Sequence, residues 1–213
     1  MTAPVPSDRP VLLALSHARQ LELLDAIVAG LAAAPLFRPT MPRWGTPFSV
    51  QISNCGPLGW VSDKSGYRYQ PCHPVTGRPW PPIPTPLLDL WDRLSLYPAP
   101  PEACLVNYYA AGARMGLHQD RDEEDFGAPV LSVSLGDTAR FRLGGTRRTD
   151  ASSTFDLASG DVMMLAGPTR LAFHGIDRTA SGSSPLLGRY PEQFPGGGRL
   201  NLTLRRVHAA TGL

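Results

Sequence analysis

Arg199-Leu200-Asn201-Leu202-Thr203-Leu204-Arg205 alternates polar and apolar side chains without a break. Successive side chains on a strand point to opposite faces. This stretch therefore reads as a strand with three leucines on one face and Arg199, Asn201, Thr203 and Arg205 on the other. Two environments suit it. In a one-sided sheet the polar face looks to water. Inside a barrel the same face sets two guanidiniums toward a small dianion, because arginine pairs with carboxylates through a bidentate fork. Asn107 and Tyr109 stand in the same i, i+2 relation on another strand and add donors to such a face.

Similar short runs surround it. Residues 48–53, 104–109, 130–135, 139–143, 161–165, 170–174 and 200–207 are rich in Val, Leu, Thr and aromatics and are punctuated by Gly, Pro, Asp or Ser. Gly144-Gly145 and Gly160-Asp161 mark turns. Two stretches carry helical periodicity instead. Across 16–34, Leu21, Leu24, Ile27, Val28 and Leu31 share one face, with Ser16 as N-cap and Pro35 as stop. Thr85-Pro86 opens a second, shorter helix, with Thr85 as cap and a stripe of Leu87, Leu88, Trp91 and Leu94. The expected fold is mainly β with flanking helices (α+β), its core a sandwich or jelly roll.

At 213 residues the chain is one domain by size. Its net charge of +2 excludes a strongly basic nucleic-acid coat protein. Nineteen of the 20 basic residues are Arg, and Lys64 is the exception. No apolar run approaches the ~18 residues that span a membrane. Residues 1–10 lack a signal-peptide core. Cys55, Cys72 and Cys104 form an odd, widely spaced set, which predicts free thiols and a cytoplasmic location.

His118-Gln119-Asp120 offers two metal-ligand side chains on one face of an extended segment. Alone this means little: five His and 13 Asp in the chain give roughly 0.3 such matches by chance. His174 changes the balance. It is read as the end of an apolar strand, 54 residues after Asp120, with three or four strands between to bring it back. Two histidines and a carboxylate suit an octahedral divalent ion and leave three positions open. Zinc with three protein ligands is the competing reading.

The combined pattern resembles the AlkB-type branch of the iron(II)- and 2-oxoglutarate-dependent dioxygenases. The resemblance covers roughly residues 48–206. It rests on Asn54-Cys55-Gly56-Pro57-Leu58-Gly59-Trp60, Asn107-Tyr108-Tyr109 with Gly112, and Leu117-His118-Gln119-Asp120-Arg121-Asp122-Glu123. It continues through Ala128-Pro129, Ser132-Val133-Ser134-Leu135-Gly136, Gly160-Asp161-Val162, His174-Gly175-Ile176 and the set Arg199, Asn201 and Arg205. Each piece is weak, but their order and local spacing match throughout.

The resemblance implies a double-stranded β-helix and a role for each matching residue. His118, Asp120 and His174 hold Fe(II). Arg199 pairs with the distal carboxylate of 2-oxoglutarate, helped by Tyr109 and Asn201, while Asn107 and Arg205 hold its chelating end. Trp60 and Tyr67 cover the substrate base, and Asp122 meets its amino group. Met115 and Ser132 line the pocket, and Arg148 touches the nucleic acid. The implied partner is single-stranded nucleic acid with alkylated bases, handled by a monomer. The implied reaction is oxidative demethylation of 1-methyladenine and 3-methylcytosine in DNA or RNA. It consumes O₂, turns 2-oxoglutarate into succinate and CO₂, and releases formaldehyde. An oxygenase of small molecules or protein side chains, and a β-sandwich binding module without turnover, are the rival readings.

The same resemblance divides the chain. Residues 1–47 form a helical extension, 48–100 the substrate-covering segment and a helix, and 101–213 the dioxygenase core. One departure stands out. Arg199 follows His174 by 25 residues, a long gap filled by the Gly/Pro/Ser-rich stretch 180–198, which reads as a mobile surface loop or a lid. The aromatics of 54–84 read either as pins that fix a loop to the core or as a stacking surface for an unpaired base, with Lys64, Arg68 and Arg78 near phosphates.

Overall fold

The computed structural model describes residues 11–210. Residues 1–10, read above for a signal peptide, lie outside the described residues. Fourteen elements follow in chain order. They are β1 (Val11–Ala14), α1 (His17–Leu31), β2 (Gln51–Cys55), β3 (Gly59–Asp63), β4 (Gly66–Gln70), α2 (Thr85–Leu94), β5 (Ala103–Tyr109), β6 (Met115–His118), β7 (Val130–Gly136), β8 (Ala139–Leu143), β9 (Ser153–Leu157), β10 (Asp161–Leu165), β11 (His174–Thr179) and β12 (Arg199–Arg205). A six-stranded sheet has the order β1-β10-β7-β12-β5-β2, a four-stranded sheet the order β6-β11-β8-β9, and β3-β4 is a separate hairpin. Every pairing is antiparallel. The two sheets face each other as a jelly roll, joined by Tyr109, Val130, Met163 and Leu165 from one and Phe141, Phe155, Leu157 and Ile176 from the other.

The helices decide which way β12 faces. Leu23, Leu24 and Ile27 of α1 and Leu87, Leu90 and Trp91 of α2 pack with Leu200, Leu202 and Leu204 in one buried cluster. The leucine face of β12 is therefore covered from outside. Its polar face turns into the jelly roll, where Arg199, Thr203 and Arg205 are buried.

Several expectations change. The second helix begins one residue early: Pro84 is its N-cap and makes no side-chain cap, so Thr85 is helical and does not cap. The strand expected at 170–174 is a turn, and His174 starts β11 instead of ending a strand. Arg170 explains this. Its guanidinium turns inward to the carbonyls of Ala128 (2.7 Å) and Asp120 (2.6 Å), while Ala172 N–H bonds back to Thr169. The stretch 180–198 is an anchored surface loop and does not cover the cavity as a lid. Leu186, Leu187 and Phe194 are buried in the α1–α2 cluster, Asp137 accepts from the backbone N–H groups of Gly182 and Ser184, and none of its residues lines the central cavity. Residues 59–70 form a hairpin, not a loop. Within 54–84, Trp80 is the buried pin. Arg68 is held by Asp63 at 2.8 Å and is not a free phosphate contact.

All three thiols are free. Burial pushes Cys55 up to about 12 and Cys104 well above its ordinary value. A disulfide reagent is therefore expected to titrate one thiol, the half-buried Cys72, in the native protein and three after unfolding.

Candidate metal centre and its pocket

His118 closes β6 and His174 opens β11, and the two are cross-strand partners. Their register demands the glycine that follows. A Cβ at Gly175 would lie 2.6 Å from the carbonyl oxygen of Met115, so only glycine lets β6 approach β11 this closely. Each imidazole is oriented by a backbone carbonyl: His118 Nδ1 lies 2.9 Å from Gly116 O and His174 Nδ1 3.0 Å from Ala172 O. Donation from Nδ1 leaves each Nε2 lone pair for the site. His118 Nε2 stands 3.8 Å and His174 Nε2 3.7 Å from the carboxylate oxygens of Asp120. One ligand atom from each of the three lies within 4.8 Å of the others. Burial pushes His174 down to about 4, against the pull of Asp120, so the ring is neutral near neutral pH. For Asp120 burial alone would raise the pKa, but Arg205, the two histidines and Arg170 outweigh it and hold the carboxyl well below the usual carboxylate range. Two imidazoles and a carboxylate on one face are the donor set of a non-haem iron site with open positions.

A buried ionic network stands behind the ligands. Arg205 donates to Asp120 Oδ1 (2.6 Å), to Glu123 Oε1 (3.0 Å) and to the Tyr69 hydroxyl (3.1 Å). Arg170 donates to Glu123 Oε2 at 3.1 Å. Two guanidiniums thus balance two carboxylates. Arg199 has no such balance. It is 1 % exposed, one NH group donates to Ser134 Oγ (3.0 Å), and its Nε and other NH group have no partner. Burial pulls it down to about 10. An unbalanced guanidinium buried beside a cavity fits an anionic ligand, since a solitary buried charge is otherwise costly. Arg199 is the cross-strand partner of Tyr109, whose hydroxyl burial pushes up to about 12. Asn201 donates to Ser132 Oγ at 2.6 Å.

All fourteen residues singled out in the sequence line one cavity of about 930 Å³. The ligand triad and Arg199 lie within it. Trp60 stacks on Tyr67 (ring centroids 5.6 Å apart, planes at 16°) and donates from Nε1 to Asp122 at 2.7 Å. Arg148 donates to Leu117 O at 3.1 Å. Sequence reading missed three members of the network. Glu123 sits in the run 122–125, which reads as solvated acid, and Arg170 in an apolar stretch. Tyr69 is one of several aromatics in 54–84, with no spacing that singles it out.

The jelly roll and this face define a class, the 2-oxoglutarate- and Fe(II)-dependent oxygenases. Residues 12–205 match the 2OG-Fe(II) oxygenase superfamily model. An alpha-ketoglutarate-dependent dioxygenase AlkB homolog of Caulobacter vibrioides is 55% identical over 92% of this chain and 86% of its own. The alpha-ketoglutarate-dependent dioxygenase AlkB of Escherichia coli is 42% identical over 78% of each chain. The solved structure of OsALKBH1 superposes with a TM-score of 0.75 and 31% identity, covering 93% of this chain and 97% of that one. The chain belongs to the 2OG-Fe(II) oxygenase superfamily and, within it, to the AlkB-type dioxygenases. Fe(II), 2-oxoglutarate and O₂ are the reactants of that family, and the triad fits iron.

Proposed function

We propose that the protein is an oxidative demethylase of alkylated bases, acting on 1-methyladenine and 3-methylcytosine in single-stranded DNA and also in RNA. One observation carries the reading: Trp60, stacked on Tyr67 and bonded to Asp122, stands at the cavity that holds the ligand triad. The AlkB relatives support it, as does a mouse relative named a nucleic acid dioxygenase, 42% identical over 36% of this chain. The segment 48–100 includes the substrate-covering hairpin and α2, the segment 101–213 includes the metal and cosubstrate residues, and the extension 1–47 packs on the core through α1 and joins the six-stranded sheet through β1. The three thiols are free, which suits a reducing compartment such as the cytoplasm. Among the described residues no helix is long and apolar enough to cross a membrane.

His118, Asp120 and His174 would hold the iron. Arg199, with Tyr109 and Asn201, takes the distal carboxylate of 2-oxoglutarate, and Asn107 with Arg205 faces its other end. When bound, iron with 2-oxoglutarate and O₂ supplies the oxidising equivalent that hydroxylates the N-alkyl carbon, with succinate and CO₂ as by-products. The chain's own residues hold and select the base. Trp60 and Tyr67 offer it aromatic area, worth roughly 1–3 kcal/mol per stacked base. Asp122 offers an acceptor and a negative charge, and both lesions are cationic. Met115 and Ser132 shape the wall, and Arg148 reaches the strand. A base must leave its stack to enter this cavity, at a cost of a few kcal/mol that is least for unpaired or damaged bases.

The test compares methylated trimers, longer single strands and perfect duplexes with wild type, Trp60→Ala and Asp122→Ala. Single strands should be repaired faster than duplexes. Trp60→Ala should lose about five- to 150-fold in kcat/KM, as one stacked base predicts. An Asp122→Ala enzyme with an unchanged preference for cationic lesions would remove Asp122 from base recognition.

A further inference from the structure

Among the described residues the hairpin β3–β4 pairs with no other strand. It reaches the metal-ligand segment 118–123 through two side-chain hydrogen bonds. Trp60 and Tyr69 are cross-strand partners on it. Trp60 bonds to Asp122 at the cavity. Tyr69 donates from its hydroxyl to Glu123 Oε1 behind the metal centre. The two bonds differ in setting. The first involves the groups assigned above to the incoming base. The second is covered: Glu123 has no exposed side-chain surface, and both of its oxygens are engaged, Oε1 by Tyr69 and Arg205 and Oε2 by Arg170. Arg205 in turn bonds both the Tyr69 hydroxyl and the Asp120 carboxylate. One chain of contacts therefore runs from the base-covering hairpin to the metal-facing acid.

We propose that the Tyr69–Glu123 pair is a latch that positions the hairpin over the metal centre and remains closed when a base takes Asp122. Tyr69 and Glu123 are positioning residues in this scheme, since both act through Trp60, Arg205 and Asp120. The role rests on the demethylase reading for its substrate, but the latch itself does not. Asn54, whose side chain bonds Trp60 N and O at 3.1 Å, and the Thr40–Ser62 bonds tether only β3. Strand β4, which carries Tyr67, has Tyr69 as its tie to the metal segment.

Tyr69→Phe tests this. It removes one hydroxyl, keeps the ring in its cluster with Leu105 and Val207, and leaves Glu123 paired with both arginines, so the fold should persist. Amide hydrogen exchange of 59–70, measured without substrate, should accelerate about ten- to 150-fold, the loss of one hydrogen bond to a charged group. Exchange in β5 and β12 should stay within twofold. Affinity for a methylated trimer should fall by a similar factor, 2-oxoglutarate affinity should hold within twofold, and more succinate should form per base repaired. Unchanged exchange in 59–70 overturns the latch, whatever the substrate proves to be. If exchange rises but wild type repairs no methylated base, the latch stands and the demethylase reading falls. Faster exchange with trimer affinity and succinate-to-product ratio as in wild type reduces Tyr69 to a structural bond and also overturns the proposal.

Discussion

Asp120→Ala should lose all measurable turnover, a fall beyond the roughly hundredfold that even a residue supporting a metal ligand can cost, while keeping its native circular dichroism. Asp120 is the anionic member of the triad and touches both imidazoles. Its removal leaves Arg205 paired with Glu123 at 3.0 Å. The stability cost should therefore stay below the about 3–5 kcal/mol of a fully orphaned buried charge. Thermal shift separates the two effects. Mn(II), an oxygen-stable probe of the iron site, at 100 times its dissociation constant stabilises a binding-competent fold by about 2.7 kcal/mol, roughly 5–10 °C for a chain of this size. Wild type should show that shift and Asp120→Ala should not. An undiminished shift in the variant would move the metal elsewhere.

Arg199→Met should have the second-largest effect, with an unusual signature. Losing a carboxylate's buried partner costs about 2–5 kcal/mol, which raises the 2-oxoglutarate requirement roughly thirtyfold to several thousandfold. Yet the ligand-free protein should melt no lower than wild type. Arg199 is a buried cation with two donors unpartnered, and a volume-matched apolar replacement of such a charge is often neutral or stabilising. Melting temperature with and without 2-oxoglutarate, beside its KM, reads both. A strongly destabilised variant with unchanged KM would make Arg199 a structural residue.

How much of this was legible in the sequence differs by element. The alternation in 199–205 is local and unmistakable, but it does not say which face is inside. That follows from the apolar stripes of α1 and α2, which need the leucine face as their partner. The triad was legible because two ligands sit at i, i+2 and the third lies on a strand that must return. The ionic network was not. Tyr69, Glu123, Arg170 and Arg205 come from four distant segments, and long-range ion pairs leave no spacing to read. Glu123 lies among solvated acids, and Arg170 breaks an apolar run whose inward turn moves the start of β11 to His174. The stretch 180–198 misled through its average composition. Three apolar residues, Leu186, Leu187 and Phe194, pin it to the core despite the surrounding Gly, Pro and Ser.

The most direct test is mass spectrometry of a single-stranded oligonucleotide carrying one 1-methyladenine or 3-methylcytosine, incubated with the protein, Fe(II), 2-oxoglutarate and air. The expected result is loss of one CH₂ per lesion, with one formaldehyde and one succinate formed for each base restored. That product should be absent without iron and absent with Asp120→Ala. Succinate formation with every methylated oligonucleotide unchanged in mass, while a free metabolite or a protein side chain becomes hydroxylated, would contradict the account.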